Sequence, residues 1–251
     1  MISPAILACA PAGGGPAPYH AGAVHFDGAT ELDCASLVST DNGFISFSLW
    51  CLFDVLNVYN SLWVSDPVND YVGFFQPANT VPALRAGFSS GGSALTQSNI
   101  SVSTGVWYNY IFSCQTNLGL GSKILKIYQN DVDITNSPVD FGASFIAATN
   151  GSPACIGGDT FGDNLTGDMT DVRVMPGVSL LDGGGDIPLA TRRLFIDADG
   201  KPVDPAIATI ALGAPCMLFS GDATAFGTNQ GTGGAFTTTG TLTNASSSPS
   251  D

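Results

Sequence analysis

Between Val24 and Met175 the chain is a succession of short alternating segments, each closed by Gly, Pro, Asn or Asp. In GFISFSLWCLF, Ile45, Phe47, Leu49, Cys51 and Phe53 fall on one side of a pleat, and Ser46, Ser48, Trp50 and Leu52 on the other. GVWYNYIFSCQT repeats that period, with Tyr108, Tyr110, Phe112 and Cys114 against Trp107, Asn109, Ile111 and Ser113. NSLWVSDP, DYVGFFQP and ALRAGFSS are shorter pieces of the same kind. ILKIYQNDVDIT reads as strand, Asn130-Asp131 turn and short strand, and Asp27-Gly28 is a further turn signal. No segment sustains a 3.6-residue period; the nearest helical candidates are PLATRRLF (188–195) and PAIATIAL (205–212). Short strands at regular spacing with turns between them predict an all-β sandwich or barrel.

The charges agree with that prediction and exclude several functions. Of 251 residues only 11% are charged, and Glu31 is the single glutamate. The strongest helix formers after Ala and Leu are therefore scarce. The formal net charge is −14. No basic stripe exists for phosphate, which argues against nucleic acid and against an anionic membrane surface as partners. No run approaches the roughly 18 apolar residues of a membrane helix.

Six cysteines occur, none in a CxxC pair, and there are two histidines, so a zinc knuckle is not expected. Cys51 and Cys114 lie in strand patterns, where a free thiol packs as a small hydrophobe; a bridge between central strands stays open. Residues 1–20 read as an extended Pro/Gly-rich arm, since no basic segment precedes the short apolar stretch broken by Pro4 and Pro11. Residues 21–180 carry the strand pattern, and 181–251 form a loop-rich extension expected to pack on the sandwich or on a neighbouring subunit. Its last thirty residues are Gly, Thr, Ser and Asn with isolated Phe226, Phe236 and Leu242, a composition that alone suggests weak order.

The order of motifs resembles the concanavalin A-like superfamily in its laminin-G-like branch. VHFDGATELDC is similar to that family's first strand and turn, GFISFSLWCLF to its F-T-ISLW strand, and GVWYNYIFSC to its W-H-H-V-A strand. KILKIYQNDVDIT is similar to L-Y-V-N-G, with Asp131 where Gly is usual. CIGGD followed by LTGDMTDVRVM resembles I-G … F-x-G-x-I-D-E-V-R-I, with Asp171, Val172 and Arg173 in register. The resemblance implies an antiparallel two-sheet β-sandwich of the concanavalin A-like jelly-roll type. The ending, RRLFIDADGKPVDP and LFSGDATAFGTNQGTGGAFTTTGTLTNASSSPSD, resembles laminin-G-like proteins of tailed bacteriophages, which implies a virion component.

The same superfamily contains glucanases, whose chemistry needs two carboxylates across the sugar bond. Their E-x-D-x-x-E strand motif is absent here. Asp168 and Asp171, three apart, would point to opposite faces of a regular strand. His20 and His25 lie in or beside the N-terminal arm, and His25 reads as an edge or surface residue of the first strand. Laminin-G-like domains often hold one calcium ion at a loop rim, which makes Asp159, Asp163 and Asn164 in GGDTFGDNLTG the first candidate ligands and Asp197 and Asp199 a second cluster. These residues equally suit Asx turns. For glycan contact the candidates are Trp63, Asp66, Asn69, Asp70 and Tyr71, with Phe74, Phe75 and Trp107 as further aromatics, although folding alone buries much aromatic area.

The expected function is a non-enzymatic phage virion structural protein displayed on the particle surface, as head decoration, head fibre or tail-associated adhesin. Its expected partners are other virion subunits, copies of itself and host cell-surface glycan, and its expected location is the virion, after synthesis in the host cytoplasm without a signal peptide. No cofactor is required on this reading, with calcium as the one the resemblance allows. The alternatives are a carbohydrate-binding lectin outside a virion, calcium-dependent or not, and a glucan-cleaving glycoside hydrolase.

Overall fold

The computed structural model describes residues 19–251 apart from 41, 57, 59, 66–71, 77–84, 91–92, 97–101, 116, 118–123, 136–138, 141–150 and 159–162. Its first strands are β1 (Val24–Asp27), β2 (Glu31–Cys34), β3 (Phe44–Phe53), β4 (Asn60–Ser65), β5 (Val72–Gln76), β6 (Arg85–Ser90), β7 (Ser93–Thr96) and β8 (Trp107–Gln115). They are followed by β9 (Ile124–Gln129), β10 (Val132–Asp133), β11 (Val139–Asp140), β12 (Ala154–Ile156) and β13 (Thr166–Pro176). The rest comprises helices α1 (Leu189–Arg192) and α2 (Pro205–Leu212), strand β14 (Met217–Phe219), helix α3 (Ala223–Phe226), and strands β15 (Thr237–Thr239) and β16 (Thr243–Asn244).

Two antiparallel sheets result. The first runs β10-β9-β8-β3-β13-β1-β16, with β14 also paired to β13; the second runs β11-β7-β6-β5-β4-β12-β2-β15. The Asp27-Gly28 turn carries the chain from one sheet to the other, with Gly28 at φ +80°. The Asn130-Asp131 turn closes the β9–β10 hairpin, both residues taking the positive φ that such turns require. Gly157 is fixed by packing: a Cβ there would lie 2.2 Å from the Phe26 ring.

The core fills the space between the sheets, and the alternation of β3 assigns it correctly. Ile45, Phe47, Leu49, Cys51 and Phe53 all face it, as do Tyr110, Phe112 and Cys114 of β8. Phe47 stacks on Phe112 at a centroid distance of 4.6 Å. The opposite side of the same strands packs a second cluster, in which Trp50, Ile111 and Tyr128 meet Leu180, Ile187, Phe195, Ile196 and Ala208. The segment holding α1 and α2 thus covers much of the first sheet's outer face. The five described cysteines, Cys34, Cys51, Cys114, Cys155 and Cys216, are buried and unbridged. Among the described residues no helix is long and apolar enough to cross a membrane.

The sheets also continue past residue 180. β14 pairs with β13, β15 with β2 and β16 with β1. The isolated aromatics of the Gly/Thr-rich tail explain its order. Phe226 is fully buried between Phe26 and Phe219, and Phe236 meets Phe219 edge-on at 5.0 Å. Asp222 caps α3 by accepting from the backbone of Thr224 and Ala225. Phe226→Ala is expected to cost about 3–5 kcal/mol, the range for emptying a buried Phe site. Urea unfolding would check this, and a loss under about 1 kcal/mol would mean that the tail contributes little to the core.

Strand β13 changes neighbours midway. Residues 166–169 pair with β1 and residues 172–174 with β14, and the register against β3 shifts between Thr170 and Arg173. Asp171 sits in this bulge at φ +50°. The extra residue corrects the expectation that Asp168 and Asp171 face opposite ways. Asp168 pairs with Leu52, and Asp171 lines a cavity with Ser48 and Trp50, so both turn to the outer face of the first sheet. Burial raises the Asp171 carboxyl from its ordinary 3.8 to about 7, against the lowering effect of hydrogen bonds from Tyr19 and Thr170. A carboxyl with a raised folded pKa binds a proton more tightly in the native state. Its contribution to stability is complete below about pH 4 and is lost as pH rises through about 7. Wild type is therefore expected to lose thermal stability relative to Asp171→Asn between about pH 5 and pH 8. Parallel melting-temperature profiles for the two proteins would contradict this.

Candidate functional site

One end of the first sheet's outer face, where Trp107 packs against the second cluster, carries a row of paired residues. Cross-strand pairing lines up Trp107, Leu52, Asp168, His25 and Thr243 from β8, β3, β13, β1 and β16 in one row. Directly paired residues share a face of the sheet. His25 is therefore on an interior strand and not at an edge, while its side chain reaches the surface at 34% exposure. Its Nδ1 lies 2.8 Å from Asp168 Oδ1 and 3.8 Å from Asp54 Oδ2. Asp168 is 5% exposed, and burial raises its carboxyl above the ordinary range; the His25 hydrogen bond and charge act in the opposite direction. Trp107 is half-buried and donates its indole N–H to Ser247 Oγ at 3.2 Å.

The adjoining loops add apolar surface. Residues Thr104 and Gly105 are tied to Phe53 by a bridge and a 2.9 Å hydrogen bond, which sets Val106 beside the turn holding Asp54 and Val55. Asn60 holds that turn through the Val55 and Val58 carbonyls. Val55, Val58 and Val106 are each about two-fifths exposed (41%, 41% and 43%). This end of the molecule thus offers a half-buried indole, three valines, an imidazole and the Asp54 carboxylate, with Asp168 buried beneath His25. Such a surface can stack on an apolar ring face and accept hydrogen bonds from hydroxyl groups. Asp54 and Asp168 both approach His25 Nδ1.

The glycan candidates chosen from sequence fare differently. Trp63 is 1% exposed and packs against Phe47 in the core, so it cannot serve as a sugar platform. The cause is local: β4 carries a register irregularity between Ser61 and Trp63, and Trp63 pairs with inward-facing Ile156. Asp66, Asn69, Asp70 and Tyr71 lie outside the described residues, as does Asp159 of the metal candidates.

Asp163 and Asn164 stand at the end of β4, where the Asp163 carbonyl accepts from Ser61 N at 3.1 Å. Asn164 Oδ1 is buried without a hydrogen-bond partner. It converges with Glu31 over Gly158, where a Cβ would meet Glu31 Oε2 at 2.4 Å and Asn164 Oδ1 at 2.5 Å. Glu31 in turn belongs to a cluster that sequence reading missed. The ligand atoms of Glu31, Asp33 and Cys155 lie within 4.8 Å of one another. Cys155 stands opposite Asp33 across β12 and β2, a pairing between distant positions that nothing local in the sequence announces. Burial and the two carboxylates push the Cys155 thiol far up, so it stays protonated and ill suited to a thiophilic metal. The oxygens of Glu31, Asp33 and Asn164 suit a hard cation such as calcium. Asp197, of the second cluster, accepts from the backbone N–H groups of Asp199 and Lys201, which is Asx-turn work.

Residues 26–179 match the Laminin_G_3 model of the concanavalin A-like lectin/glucanases superfamily. Among solved structures, a Bacteroides ovatus protein assigned to carbohydrate binding superposes with a TM-score of 0.61 at 16% identity, covering 92% of this chain and 62% of its own. The heptameric SAP-like pentraxin of Limulus polyphemus gives 0.49 at 11% identity, over 76% of this chain and 82% of the pentraxin. Tailspike protein 2 of an Escherichia coli O157:H7 bacteriophage gives 0.43 at 14% identity, over 70% of this chain and 24% of the tailspike. No curated protein matches the chain by sequence. With two antiparallel sheets in place and a family model spanning well over half its length, the chain belongs to the concanavalin A-like lectin/glucanases superfamily.

Proposed function

We propose that this chain is a non-enzymatic surface protein of a phage particle whose sandwich end at Trp107 and the exposed valines makes weak, multivalent contacts with cell-surface glycan. The observation that carries the glycan contact is the row at that end, where Trp107 and the exposed valines adjoin His25, Asp54 and Asp168. The phage assignment is supported by the resemblance of the C-terminal region to laminin-G-like phage proteins. A surface poor in charge suits packing against other virion subunits or copies of itself, because a desolvated, unpaired charge is costly. Many weak sites acting together give useful avidity without a deep pocket.

The test is binding of streptavidin-tetramerised protein to a printed array of bacterial surface polysaccharides. Trp107→Ala is expected to lower the signal at least tenfold while the melting temperature falls only a few degrees. Trp63→Ala is expected to destabilise by about 3–5 kcal/mol, as removal of a core indole does. An array silent to wild type would sink the glycan contact, and absence of the chain from purified particles by mass spectrometry would sink the virion assignment.

A second reading, a calcium-dependent lectin acting outside a virion, is favoured by the buried and unpartnered Asn164 Oδ1 beside Glu31. Calcium would be held there by the oxygens of Glu31, Asp33 and Asn164, and would order the rim on which a glycan rests. It predicts array binding that disappears in EDTA and returns with added calcium. Binding indifferent to chelation would exclude it.

A further inference from the structure

The bulge in β13 leaves a cavity of about 10 Å³ between the outer face of the first sheet and the segment bearing α2. Ser48, Trp50, Asp171, Arg173, Phe195 and Ala208 are among its walls. Two charged side chains at this cavity are almost wholly buried, Asp171 at 8% exposure and Arg173 at 2%. Each has one end fully engaged. Asp171 Oδ1 accepts from the Tyr19 hydroxyl at 2.8 Å and from Thr170. Arg173 Nη2 donates to the Pro205 carbonyl at 2.8 Å and to Thr209 Oγ1. The other end of each has no partner: Asp171 Oδ2 and Arg173 Nη1 are both buried without a hydrogen bond, so the two groups do not pair with each other.

With the carboxyl ionised, the Asp171 orphan is an acceptor, and the Arg173 orphan is a donor. Unsatisfied charged groups are expensive to bury, and native interiors satisfy them. A cavity of this size accommodates about one water molecule, which needs two to four polar partners. Ser48 also lines the space, and its hydroxyl is the third partner on this reading. We propose that this cavity is a binding site for one ordered water, which donates to Asp171 Oδ2, accepts from Arg173 Nη1 and is completed by Ser48. The water closes a joint among three parts of the chain: the segment at Tyr19, the β13 bulge and helix α2. It gives the strained bulge a fixed polar anchor and holds α2 down where an ordinary ion pair would have collapsed the space.

A crystal structure of the full chain at about 1.5 Å or better is the direct test. The expected result is a single well-ordered solvent peak within hydrogen-bond distance of both orphan atoms. A cavity without density, or Asp171 and Arg173 joined directly, would overturn the proposal. Ala208→Val provides a solution test, because the added methyl groups fill the space that the water occupies. Magnetic relaxation dispersion is expected to count one fewer long-lived water in the variant, with the melting temperature lower by about 5 °C or more. An unchanged water count, or a variant that melts higher than wild type, would mean that the cavity is dry. Should that variant fail to fold, Ser48→Ala takes its place: it is expected to keep the long-lived water with a shorter residence time than in wild type. An unchanged residence time would count against Ser48 as partner and against the site.

Discussion

Strand β13 must serve two different neighbours along one edge, and the bulge at Asp171 is how it does so. Before the bulge the strand pairs with β1, at the start of the sandwich; after it, with β14, which arrives from the C-terminal region. A regular strand would keep one partner and one facing alternation throughout. The extra residue breaks the register, bends the strand and turns two acids to the same face. Three features of the fold depend on that break: β14 enters the first sheet, Phe219 reaches the core, and Arg173 is placed to tether α2 by the Pro205 carbonyl.

The same arrangement determines which surface is left for function. The segment through α1 and α2 buries Trp50, Ile111 and Tyr128 on the outer face of the first sheet. That face would otherwise be a broad apolar surface. The same cluster reaches Trp107, in the row that it shares with Asp168 and His25. The polar cluster of Glu31, Asp33 and Asn164 lies on the second sheet and its adjoining loop, so the molecule carries two chemically distinct faces. One mixes aromatic and aliphatic surface with acids; the other gathers oxygens.

Much of the fold was legible in the residues. The alternation of β3 and β8 named which side chains face the core, because a pleat with one face between two sheets has no freedom in that choice. The Asn130-Asp131 turn was legible because few residues accept positive φ. Trp63 was misread for a specific reason. All six residues of β4 are buried, so no polar alternation marks an outward side, and an irregularity at Ser61 resets the period just before the indole. The His25–Asp168 pair left no trace in the sequence because its partners lie 143 positions apart. The tail looked weakly ordered because composition averages over its whole length, whereas a few well-placed phenylalanines and one Asp cap are enough to seat it.

By itself the sequence determined the class of structure: too little charge and too few strong helix formers for a helical body, and a two-residue period repeated between turns, which can be satisfied only by strands stacked in layers. It also determined an acidic protein, with a formal net charge of −14. Tertiary structure alone decided which acids meet, which indole stays half-buried and where the C-terminal residues go. Those outcomes depend on contacts between positions far apart in the chain and on single-residue register shifts, neither of which leaves a local periodic trace.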